Sequence, residues 1–391
     1  MNYGDCGKGL AVDYLSTPDT LVVRYNSGAQ AGHTVTTPDG KRHVFHHIGS
    51  GTFKGAKTFL SKFFVLNPIA FCDEMYRLSW VRDMIIADPQ CPITTPYDIM
   101  LNKAAEKNRG EKRHGSCGWG FNETLVRSAT FPFQPKDLGI SMSSSDWDFY
   151  KTKEHIKNIL KNIRDCYVPL RAKELGTELD SMPYLFNDNI VEQYVQDVLM
   201  MSKYMKWSSW EEISHLWTGD IIFEGAQGLQ LDMDNWQFPH VTHSKTGLHN
   251  ILQLICDGQI KDPLEAYYVT RTYLTRHGAG PMPHNHALDF VDIVDTTNVE
   301  NENQGKMRYT WLDLDYIRNE LSKEIKHCLI SFNMIMTCVD QLKDSTVKYI
   351  QNQTDQKSTA KELIQAMKRE FFFEKTLMST GVTHKDVDFC E

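Results

Sequence analysis

The sequence lacks the features that mark several large classes of protein. It contains no CxxC pair and no cluster of Cys and His that would suggest a zinc site. No apolar run is long enough to span a bilayer, and no signal-peptide pattern is present. The net charge is −8, so the basic footprint of a nucleic-acid-binding protein is missing. We therefore expect a protein that binds neither a membrane nor nucleic acid.

What the chain does contain is the composition of a soluble globular protein. Hydrophobic residues make up 41% of the 391 residues and charged residues 24%, which is enough to bury a large core. The nine cysteines are odd in number and widely spaced, so a disulfide framework is not expected. A reducing compartment fits these cysteines best, and the sequence is that of a cytosolic protein.

Three glycines stand close together at the start of the chain, at Gly4, Gly7 and Gly9. They let backbone amides turn toward an anion, Lys8 adds a positive charge, and the following residues can open a helix whose N-terminus favours phosphate. A carboxylate in such a loop, here Asp5, is costly unless it binds Mg²⁺ or accepts a proton. The loop lacks the GxxxxGK[ST] pattern of ordinary P-loop NTPases, and a turn without a ligand is the alternative.

Two further glycine-rich loops in the first third of the chain carry candidate ligand-binding side chains. Residues 28–33 follow a strand-like run, and His33 at their end is placed to donate a hydrogen bond to a developing negative charge. Residues 113–127 offer Ser116 and backbone amides to an anion and end at Arg127. For Arg127, a solvated position on a helix is an equal alternative.

Later strand-like runs also end in turns of the kind that binds ligands. The run at 221–223 leads into a glycine turn and is followed by hydroxyl side chains, among them Thr242, which suit phosphate. A second run ends in the glycine turn at 277–281. A third run ends at Asp340, which either accepts hydrogen bonds from N1–H and N2–H of guanine or caps the next helix.

The alternation of strand-like runs with glycine turns predicts the fold class. Five or six such turns predict an α/β protein with a large, mostly parallel, P-loop-NTPase-like central sheet flanked by helices, with ligands at the strand ends. Apolar residues at helical spacing, such as Ile156, Leu160 and Ile163, predict a helical insertion around residues 150–215. Because the site is assembled from the whole chain, we expect one domain over residues 1–391.

Five sequence motifs in a fixed order resemble the adenylosuccinate synthetase family. They read GDxGKG, AGHTV, FEGAQG-x-x-LD-x-D, TR-x-G-x-GP-x-P and STG, and the resemblance runs from residue 1 to about 387. The pattern is nearer to the archaeal and bacteriophage-type members, since the loop that ends at Arg127 is contracted. The resemblance implies a ligase that joins L-aspartate to a 6-oxopurine nucleotide, driven by GTP and Mg²⁺.

The resemblance also implies roles for individual residues. Asp5 removes the N1 proton of IMP and binds Mg²⁺ together with the Gly32 carbonyl, while His33 and Lys8 support transfer of the γ-phosphoryl group to O6. Gln227 orients the purine, and aspartate then displaces phosphate at C6 of the 6-phosphoryl-IMP intermediate. The residues implied to bind nucleotide or its phosphates are Gly4, Gly7, Gly9, Ser116, Cys117, Arg127, Thr242, Asp340, Ser379, Thr380 and Gly381.

The sequence departs from the family pattern in several places. Gln30 replaces the Asn of the NAGH motif, Trp119 the Arg of a GRG turn, and Cys338 the Lys on the guanine side. The aspartate loop is reduced to QGKMR, which leaves Lys306 and Arg308 as the candidates for binding the aspartate carboxylates. The family has a buried strand before the phosphate loop, so we expect that this strand is missing or lies upstream.

Two alternatives to a GTP-dependent ligase acting on IMP stay open. A phage branch of the family uses dGMP and often ATP; it resembles this sequence in GAQAGH, GSCG and TRHGAGP, but often carries Ser at the position of Asp5. A nucleotide-binding protein without turnover is the second alternative. For the enzyme, the resemblance implies a homodimer whose interface Arg127 crosses, in the cytoplasm or, if a phage encodes it, in the host cytoplasm.

Overall fold

The structure is a computed structural model, and it describes most of the chain. The described residues are 1–138, 149–295, 297–298, 300, 303–324 and 330–390. The helices are α1 (Lys8–Leu15), α2 (Pro68–Arg77), α3 (Pro96–Arg109), α4 (Phe121–Ser128), α5 (Phe149–Asn162), α6 (Val168–Glu174), α7 (Asp188–Tyr204), α8 (Trp210–Leu216), α9 (His249–Asp257), α10 (Leu314–Glu324) and α11 (Ala360–Phe371). The strands are β1 (Leu21–Arg24), β2 (His33–Thr36), β3 (Arg42–Phe45), β4 (Lys57–Leu60), β5 (Ile85–Ala87), β6 (Met205–Trp207), β7 (Ile221–Glu224), β8 (Leu264–Arg271), β9 (Tyr273–Arg276), β10 (Arg308–Asp313), β11 (Ile330–Thr337), β12 (Thr346–Gln351), β13 (Thr354–Thr359), β14 (Thr376–Ser379) and β15 (Val387–Phe389).

Short apolar strands form a wholly parallel sheet in the order β6-β5-β4-β1-β7. Strand β1 lies inside it, pairing with β4 on one side and with β7 on the other. All residues of β1 are buried, since helices and loops cover both faces, as a parallel sheet requires. Its sequence, LVVR, is accordingly a continuous apolar run that ends in one charged residue.

A second sheet has the order β15-β14-β11-β8, in which β8, β11 and β14 are parallel and β15 is an antiparallel edge. The remaining strands form the sheet β13-β12-β10-β9 and the hairpin β2-β3. The prediction of an α/β fold with mostly parallel central strands is therefore confirmed. The parallel strands divide into two sheets, whereas the sequence indicated one large sheet.

The two parallel sheets share the helices that cover them. Helix α9 packs in one apolar cluster with Phe223 of β7 and Ala266 of β8. Helix α1 packs against Val22 of β1 and Val269 of β8. Because successive side chains of a strand point to opposite faces, α1 and α9 lie on opposite faces of the sheets. The sheets are thereby joined side by side, with α1 spanning them.

The helices expected around residues 150–215 are present as α5, α6, α7 and α8. Ile156, Leu160 and Ile163 are buried in the largest apolar cluster, which confirms the helical spacing read from the sequence. A π-helical turn, Ile163–Tyr167, joins α5 to α6. The short strand β6 follows α7 and extends the first sheet at its edge, a feature that the helical pattern did not indicate.

The glycine-rich loops meet at one edge of the parallel sheets. Strands β1, β7, β8 and β11 end there at Arg24, Glu224, Arg271 and Thr337, because the carboxyl ends of parallel strands lie on the same side. The loops that follow are also bonded to one another. Asn26 Oδ1 accepts a hydrogen bond of 2.8 Å from the amide of Ala226, which ties the loop after β1 to the loop after β7.

None of the helices in the described part of the chain is long and apolar enough to cross a membrane. The expectation of one domain over residues 1–391 stays a prediction, and so does the expectation concerning a strand before the phosphate loop. The strand-like run predicted to end at Asp340 is present as β11, which begins at Ile330, the first described residue after a gap.

Candidate active site

The first glycine loop, residues 4–9, leads directly into α1, and no side chain among the described residues caps the start of that helix. Gly7 occupies the cap position with a left-handed backbone, φ 86°. The first turn of α1 carries no acidic residue. Backbone N–H groups at the start of a helix have no partner within the helix, and they attract anions. The loop therefore suits a phosphate, with Lys8 as the first helical residue.

Close packing requires two of these glycines. A Cβ atom on Gly7 would lie 2.9 Å from Thr337 Cγ2, and one on Gly9 would lie 2.6 Å from the carbonyl oxygen of Thr34. Thr337 Oγ1 also donates a 2.9 Å hydrogen bond to the carbonyl of Cys6. The loop and the first turn of α1 are thus pressed between the start of β2 and the end of β11.

His33 forms a buried pair with Glu224, the last residue of β7. His33 Nδ1 lies 2.5 Å from Glu224 Oε1. The backbone N–H of Ser50 donates to Glu224 Oε2 at 3.0 Å, and the Ser50 hydroxyl donates to Oε1. The nearby guanidinium of Arg24 contributes a further positive charge. Three segments distant in the sequence are therefore joined at one carboxylate.

The protonation of this pair follows from its surroundings. Burial lowers the pKa of His33, and the opposing charge of Glu224 does not fully compensate. Burial would raise the pKa of Glu224, but His33, Arg24 and Ser50 together lower it. Glu224 is therefore ionised and His33 neutral, with the Nδ1 proton donated to Glu224 and Nε2 left as an acceptor. The expected hydrogen bond from His33 to a developing negative charge requires a second proton, on Nε2.

Gln227 lies directly beside the first glycine loop. A Cβ atom on Gly4 would lie 3.3 Å from the carbonyl carbon of Gln227, and one on Gly228 would lie 2.5 Å from the Gly4 amide nitrogen. Gln227 has φ 66°, in the left-handed region that few side chains adopt. Asp5, Ser27 and Cys338 share this conformation, with φ 52°, 65° and 60°. Asp5 lies within the first glycine loop, and the other three residues follow the carboxyl ends of strands β1, β7 and β11. Strained backbone of this kind is often found at functional sites.

Asp340 follows the carboxyl end of β11, on the side where guanine recognition is predicted. It lies within the 3-10 turn Val339–Gln341, whose cap position is Cys338. Burial raises the pKa of the Asp340 carboxyl group. Since Asp340 is inside this turn and not at the cap position of a helix, the alternative of a helix cap is wrong.

The predicted Ser379–Gly381 turn begins at the end of β14, the parallel neighbour of β11. Ser379 Oγ donates a 2.8 Å hydrogen bond to the Gly381 carbonyl, and the amide of Thr380 donates to the Asp386 carbonyl at 3.0 Å. His384 Nδ1 lies 2.7 Å from Asp13 Oδ2, which ties the segment to α1. The turn and Asp340 therefore leave neighbouring strands on the same side of the sheet.

Residues 113–120 pack against the 277–281 turn. A Cβ atom on Gly115, which has φ 78°, would lie 2.5 Å from the amide nitrogen of Ala279. Arg308 holds the other side of that turn, since its guanidinium donates to the carbonyls of Gly278 at 2.7 Å and Gly280 at 2.8 Å. Burial lowers the pKa of Arg308, and the nearby Arg276 lowers it further. Two guanidinium groups thus lie close together here.

Ser116 and Cys117 are fixed by contacts within the chain. Ser116 Oγ donates to Asn102 Oδ1 at 3.0 Å, and the Cys117 carbonyl accepts from Asn303 Nδ2 at 3.3 Å. The amides of residues 114–116 donate to the carboxylate of Glu106. The expectation that the backbone amides of this loop bind a ligand anion is therefore wrong for these three amides, because an internal carboxylate already holds them.

Arg127 is predicted to bind phosphate across a dimer interface, and the structure contradicts that prediction. Its side chain is 0% exposed. Nε donates to Asp98 Oδ1 at 2.9 Å, while the other nitrogens donate to the carbonyls of Phe131 at 2.6 Å and Ile93 at 2.7 Å. Because the guanidinium is fully engaged inside the chain, Arg127 holds α4 against α3.

The two aspartate-binding candidates differ in exposure and in their contacts, and Thr242 lies in a separate segment. Lys306 has a side chain that is 78% exposed and lies 3.7 Å from Glu300, whereas Arg308 is half-buried at the glycine turn. The amide of Thr242 donates to the carbonyl of Leu231 at 2.8 Å. Two residues further on, Ser244 Oγ accepts from the amide of Ser27 at 3.3 Å, so this segment borders the loop after β1.

Sequence reasoning assigned no role to three charged residues that the structure places here. They are Glu224, Arg271 and Arg276, the last residues of β7, β8 and β9. Arg271 Nε donates to the carbonyl of Asp5 at 2.5 Å and so fixes the phosphate loop. Arg276 donates to the carbonyls of Pro281 and His240, each at 2.7 Å. All three are charged residues at the end of a strand-like run, and this pattern could have indicated them from the sequence.

The donors predicted for a metal suit Mg²⁺. Among the described residues, no group of three or more His, Cys, Asp and Glu side chains could hold a metal ion. Mg²⁺ needs no such group, because it keeps several waters and binds through one or two carboxylates together with substrate phosphates. The Asp5 carboxylate and the Gly32 carbonyl are hard oxygen donors of this kind. These two oxygen donors are therefore of the chemical type that Mg²⁺ prefers.

Comparison with known proteins identifies the family. The sequence profile of adenylosuccinate synthetase matches residues 1–370. The chain belongs to the adenylosuccinate synthetase family. It is 30% identical to the adenylosuccinate synthetase of Proteus mirabilis over 330 residues, which cover 81% of this chain and 71% of that protein. Identity to the Teredinibacter turnerae enzyme is 30% over 294 residues, covering 72% of this chain and only 63% of that protein.

Two solved structures share the fold of this family member. Fully ligated adenylosuccinate synthetase from Plasmodium falciparum superposes with a TM-score of 0.71 at 16% identity, covering 100% of this chain and 98% of that one. Cyanophage S-2L succinoaminodeoxyadenylate synthetase, bound to dGMP and to dATP as an energy donor, gives 0.58 at 14% identity, covering 100% and 93%. Adenylosuccinate synthetases are ligases that form C–N bonds, and in general they use GTP and Mg²⁺.

The Arg127 pair generates a stability prediction. Arg127→Met should destabilise the protein by about 3–5 kcal/mol, because it leaves the Asp98 carboxylate buried without its countercharge. The double variant Asp98→Asn/Arg127→Met should recover part of this loss. Arg77→Met, at an arginine that is 64% exposed, is the control and should change stability by less than about 0.5 kcal/mol. Urea unfolding measures all three. An Arg127→Met protein of unchanged stability would refute the structural role.

The His33–Glu224 pair generates a prediction about pH. His33 should stay neutral at neutral pH, with its proton on Nδ1, and should titrate well below the usual value of about 6.5. Folding lowers the pKa of His33, so below about pH 6.5 the unfolded chain binds a proton that the folded chain does not. The stability that neutral His33 contributes is therefore lost as pH falls. ¹⁵N NMR of histidine follows the titration. A midpoint near the usual value, or a proton on Nε2 alone, would contradict the assignment.

Proposed function

We propose that this protein is an adenylosuccinate synthetase, which joins L-aspartate to IMP with GTP as the phosphoryl donor and acts in the cytoplasm. The observation that carries the proposal is the grouping of Asp5 in an open phosphate loop, Gln227 beside that loop and the His33–Glu224 pair next to α1. These are the groups that phosphoryl transfer to a purine oxygen needs. Membership of the family supports the same reaction.

The reaction needs two steps because O6 of a 6-oxopurine is a poor leaving group. In the first step Asp5 takes the N1 proton, O6 attacks the γ-phosphorus of GTP, the O6–P bond forms and GDP leaves. In the second step the amine of aspartate adds to C6, and the C6–O6 bond breaks to release inorganic phosphate that carries O6. The products are adenylosuccinate, GDP and phosphate.

The protein's task in the first step is to stabilise negative charge on the moving phosphoryl group. Lys8 and the open amides of α1 supply positive charge at the loop. His33 contributes once the phosphates raise its proton affinity, because Glu224 holds Nδ1 and leaves Nε2 to bind a proton. Mg²⁺, held by Asp5 and the Gly32 carbonyl, would neutralise phosphate charge.

The remaining substrates are assigned to the neighbouring loops. We place the guanine of GTP at Asp340 and the Ser379–Gly381 turn, which leave adjacent strands on one side of the sheet. Phosphate contacts are assigned to Ser116, Cys117 and Thr242, and the aspartate carboxylates to Arg308 and Lys306. We also propose a homodimer, although Arg127 no longer supports it.

The alternative purine substrate is dGMP, with ATP or GTP as donor. The motifs GAQAGH, GSCG and TRHGAGP resemble the phage branch that uses it, whereas Asp5 and Asp340 favour IMP and GTP. The two nucleotides differ by a 2-amino group on the purine and by the 2′-hydroxyl of the sugar. A protein that binds nucleotide without turnover is the remaining alternative.

A phosphate-release assay with L-aspartate and Mg²⁺, crossing IMP and dGMP with GTP and ATP, tests the proposal. We expect turnover with IMP and GTP, dependent on aspartate. Turnover with dGMP alone would establish the phage-type reaction. No release in any combination, with nucleotide binding intact, would refute the ligase and leave the binding protein.

Replacing the proposed base gives a sharper prediction. Asp5→Asn should lower kcat by roughly a hundredfold to ten-thousandfold, since general base catalysis is lost, while the affinity for IMP changes little. Asp19→Asn, at an exposed aspartate beyond α1, is the matched control and should keep full turnover. Steady-state kinetics together with calorimetric binding separate the two effects. Undiminished turnover in Asp5→Asn would refute the role of the base.

The two aspartate-binding candidates can be ranked by their settings. Arg308→Leu should raise KM for aspartate roughly tenfold to hundredfold, as expected when a charged hydrogen-bond donor is lost. Lys306→Leu should have a smaller effect, because that side chain is mostly exposed and faces Glu300. Kinetics with varied aspartate measure both. An equal KM in wild type and Arg308→Leu would remove Arg308 from the aspartate site.

A further inference from the structure

Helix α3 presents polar side chains at Asp98, Asn102 and Glu106, which are four residues apart and so share one face of the helix. That face is turned toward the segment 113–127. Asp98 binds Arg127, and Asn102 Oδ1 accepts from Ser116 Oγ at 3.0 Å and from the amide of Gly120 at 3.3 Å. One helix therefore holds this segment through a row of side chains.

Glu106 makes the most specific of these contacts. Its Oε2 atom accepts from the amides of Gly115 at 2.9 Å and Ser116 at 3.1 Å, and Oε1 accepts from the amide of His114 at 3.2 Å. Arg109 Nη1 donates to Oε1 at 2.5 Å. Successive amides that converge on one anion form the concave site that elsewhere binds phosphate. Here the anion is part of the protein.

The environment keeps this carboxylate charged. Burial would raise the pKa of Glu106, but Arg109 and the amides of residues 114–116 together lower it. The Glu106 side chain is 13% exposed, so the contact is largely shielded from solvent. Hydrogen bonds to an ionised acceptor are stronger than those between neutral groups, so the loop is held firmly.

The held loop in turn supports the rest of the site. Gly115 is in close contact with Ala279 of the glycine turn, whose neighbouring carbonyls bind Arg308. Ser116 and Cys117, the residues assigned to nucleotide phosphate, lie at the end of the amide row. A shift of the loop would therefore move the residues assigned to both nucleotide and aspartate.

We propose that the Glu106 carboxylate is a built-in anion that shapes residues 113–118, and so positions Ser116 and Cys117 for the nucleotide and the 277–281 turn beside Arg308. This inference rests on the proposed function, in which Ser116 and Cys117 contact nucleotide phosphate. Glu106 is a positioning residue, since it contacts the loop and not the substrate. The phosphate loop at α1 differs, because its amides are open to a ligand.

Chemical rescue tests the proposal. Glu106→Ala should raise KM for the purine nucleotide roughly tenfold to hundredfold, with a smaller change in kcat, because charged hydrogen bonds to the loop are lost. Added formate should restore a low KM by filling the vacated amides. Formate should leave wild type and the control Glu111→Ala, at an exposed residue of the turn between α3 and this segment, unchanged. An unchanged KM in Glu106→Ala, or a raised KM that formate does not lower, would overturn the proposal.

Two further measurements cover the remaining cases. If Glu106→Ala does not fold, Glu106→Gln keeps the shape but loses the charge, and a wild-type KM in that variant would equally overturn the proposal. Hydrogen exchange gives a readout without turnover: the amides of residues 114–116 should exchange faster in the variant than in wild type, while those of β11 stay unchanged. Equal exchange at residues 114–116 would overturn the proposal. If the wild-type protein shows no turnover, the proposed function is refuted, and hydrogen exchange still tests the role of Glu106.

Discussion

The candidate active site depends on one buried carboxylate, that of Glu224. It closes β7 and is bound by His33 at the start of β2 and by Ser50 in the turn after β3. A buried charge is tolerated only when donors surround it, so these three segments are restricted to one relative arrangement. The same contact fixes the tautomer of His33, whose backbone packs against Gly9 of the first glycine loop. The Glu224 carboxylate thus determines both how these segments pack and where His33 carries its proton.

Two glycine loops of similar sequence take opposite parts in this site. The loop at residues 4–9 ends in an uncapped helix, so its amides are open to a phosphate. The amides at residues 114–116 are occupied by Glu106 from the preceding helix. The difference lies in the position of the nearest carboxylate and not in the glycines. The backbone amides of a glycine-rich loop can therefore bind a ligand anion only if the fold leaves them without an internal one.

The parts of the fold that could be predicted are those set by local pattern. Apolar runs indicated the parallel strands, helical spacing indicated the helices from α5 to α8, and glycine spacing indicated the turn that leads into α1. Contacts between distant residues could not be predicted in this way. His33 and Glu224 are 191 positions apart, and the partner of Arg127 is Asp98 on another helix. An isolated Arg in a glycine-rich segment looks the same in the sequence whether it binds a ligand or a buried carboxylate.

The proposed reaction requires that O6 is phosphorylated before aspartate attacks, with Asp5 as the base. The most direct measurement uses IMP labelled with ¹⁸O at C6, together with GTP, Mg²⁺ and L-aspartate, and determines the label in the released phosphate by mass spectrometry. We expect one ¹⁸O atom in each phosphate formed, since the C6–O6 bond breaks only after O6 has bound phosphorus. Phosphate without the label would show that water, and not the purine, receives the phosphoryl group, and would contradict phosphorylation of O6.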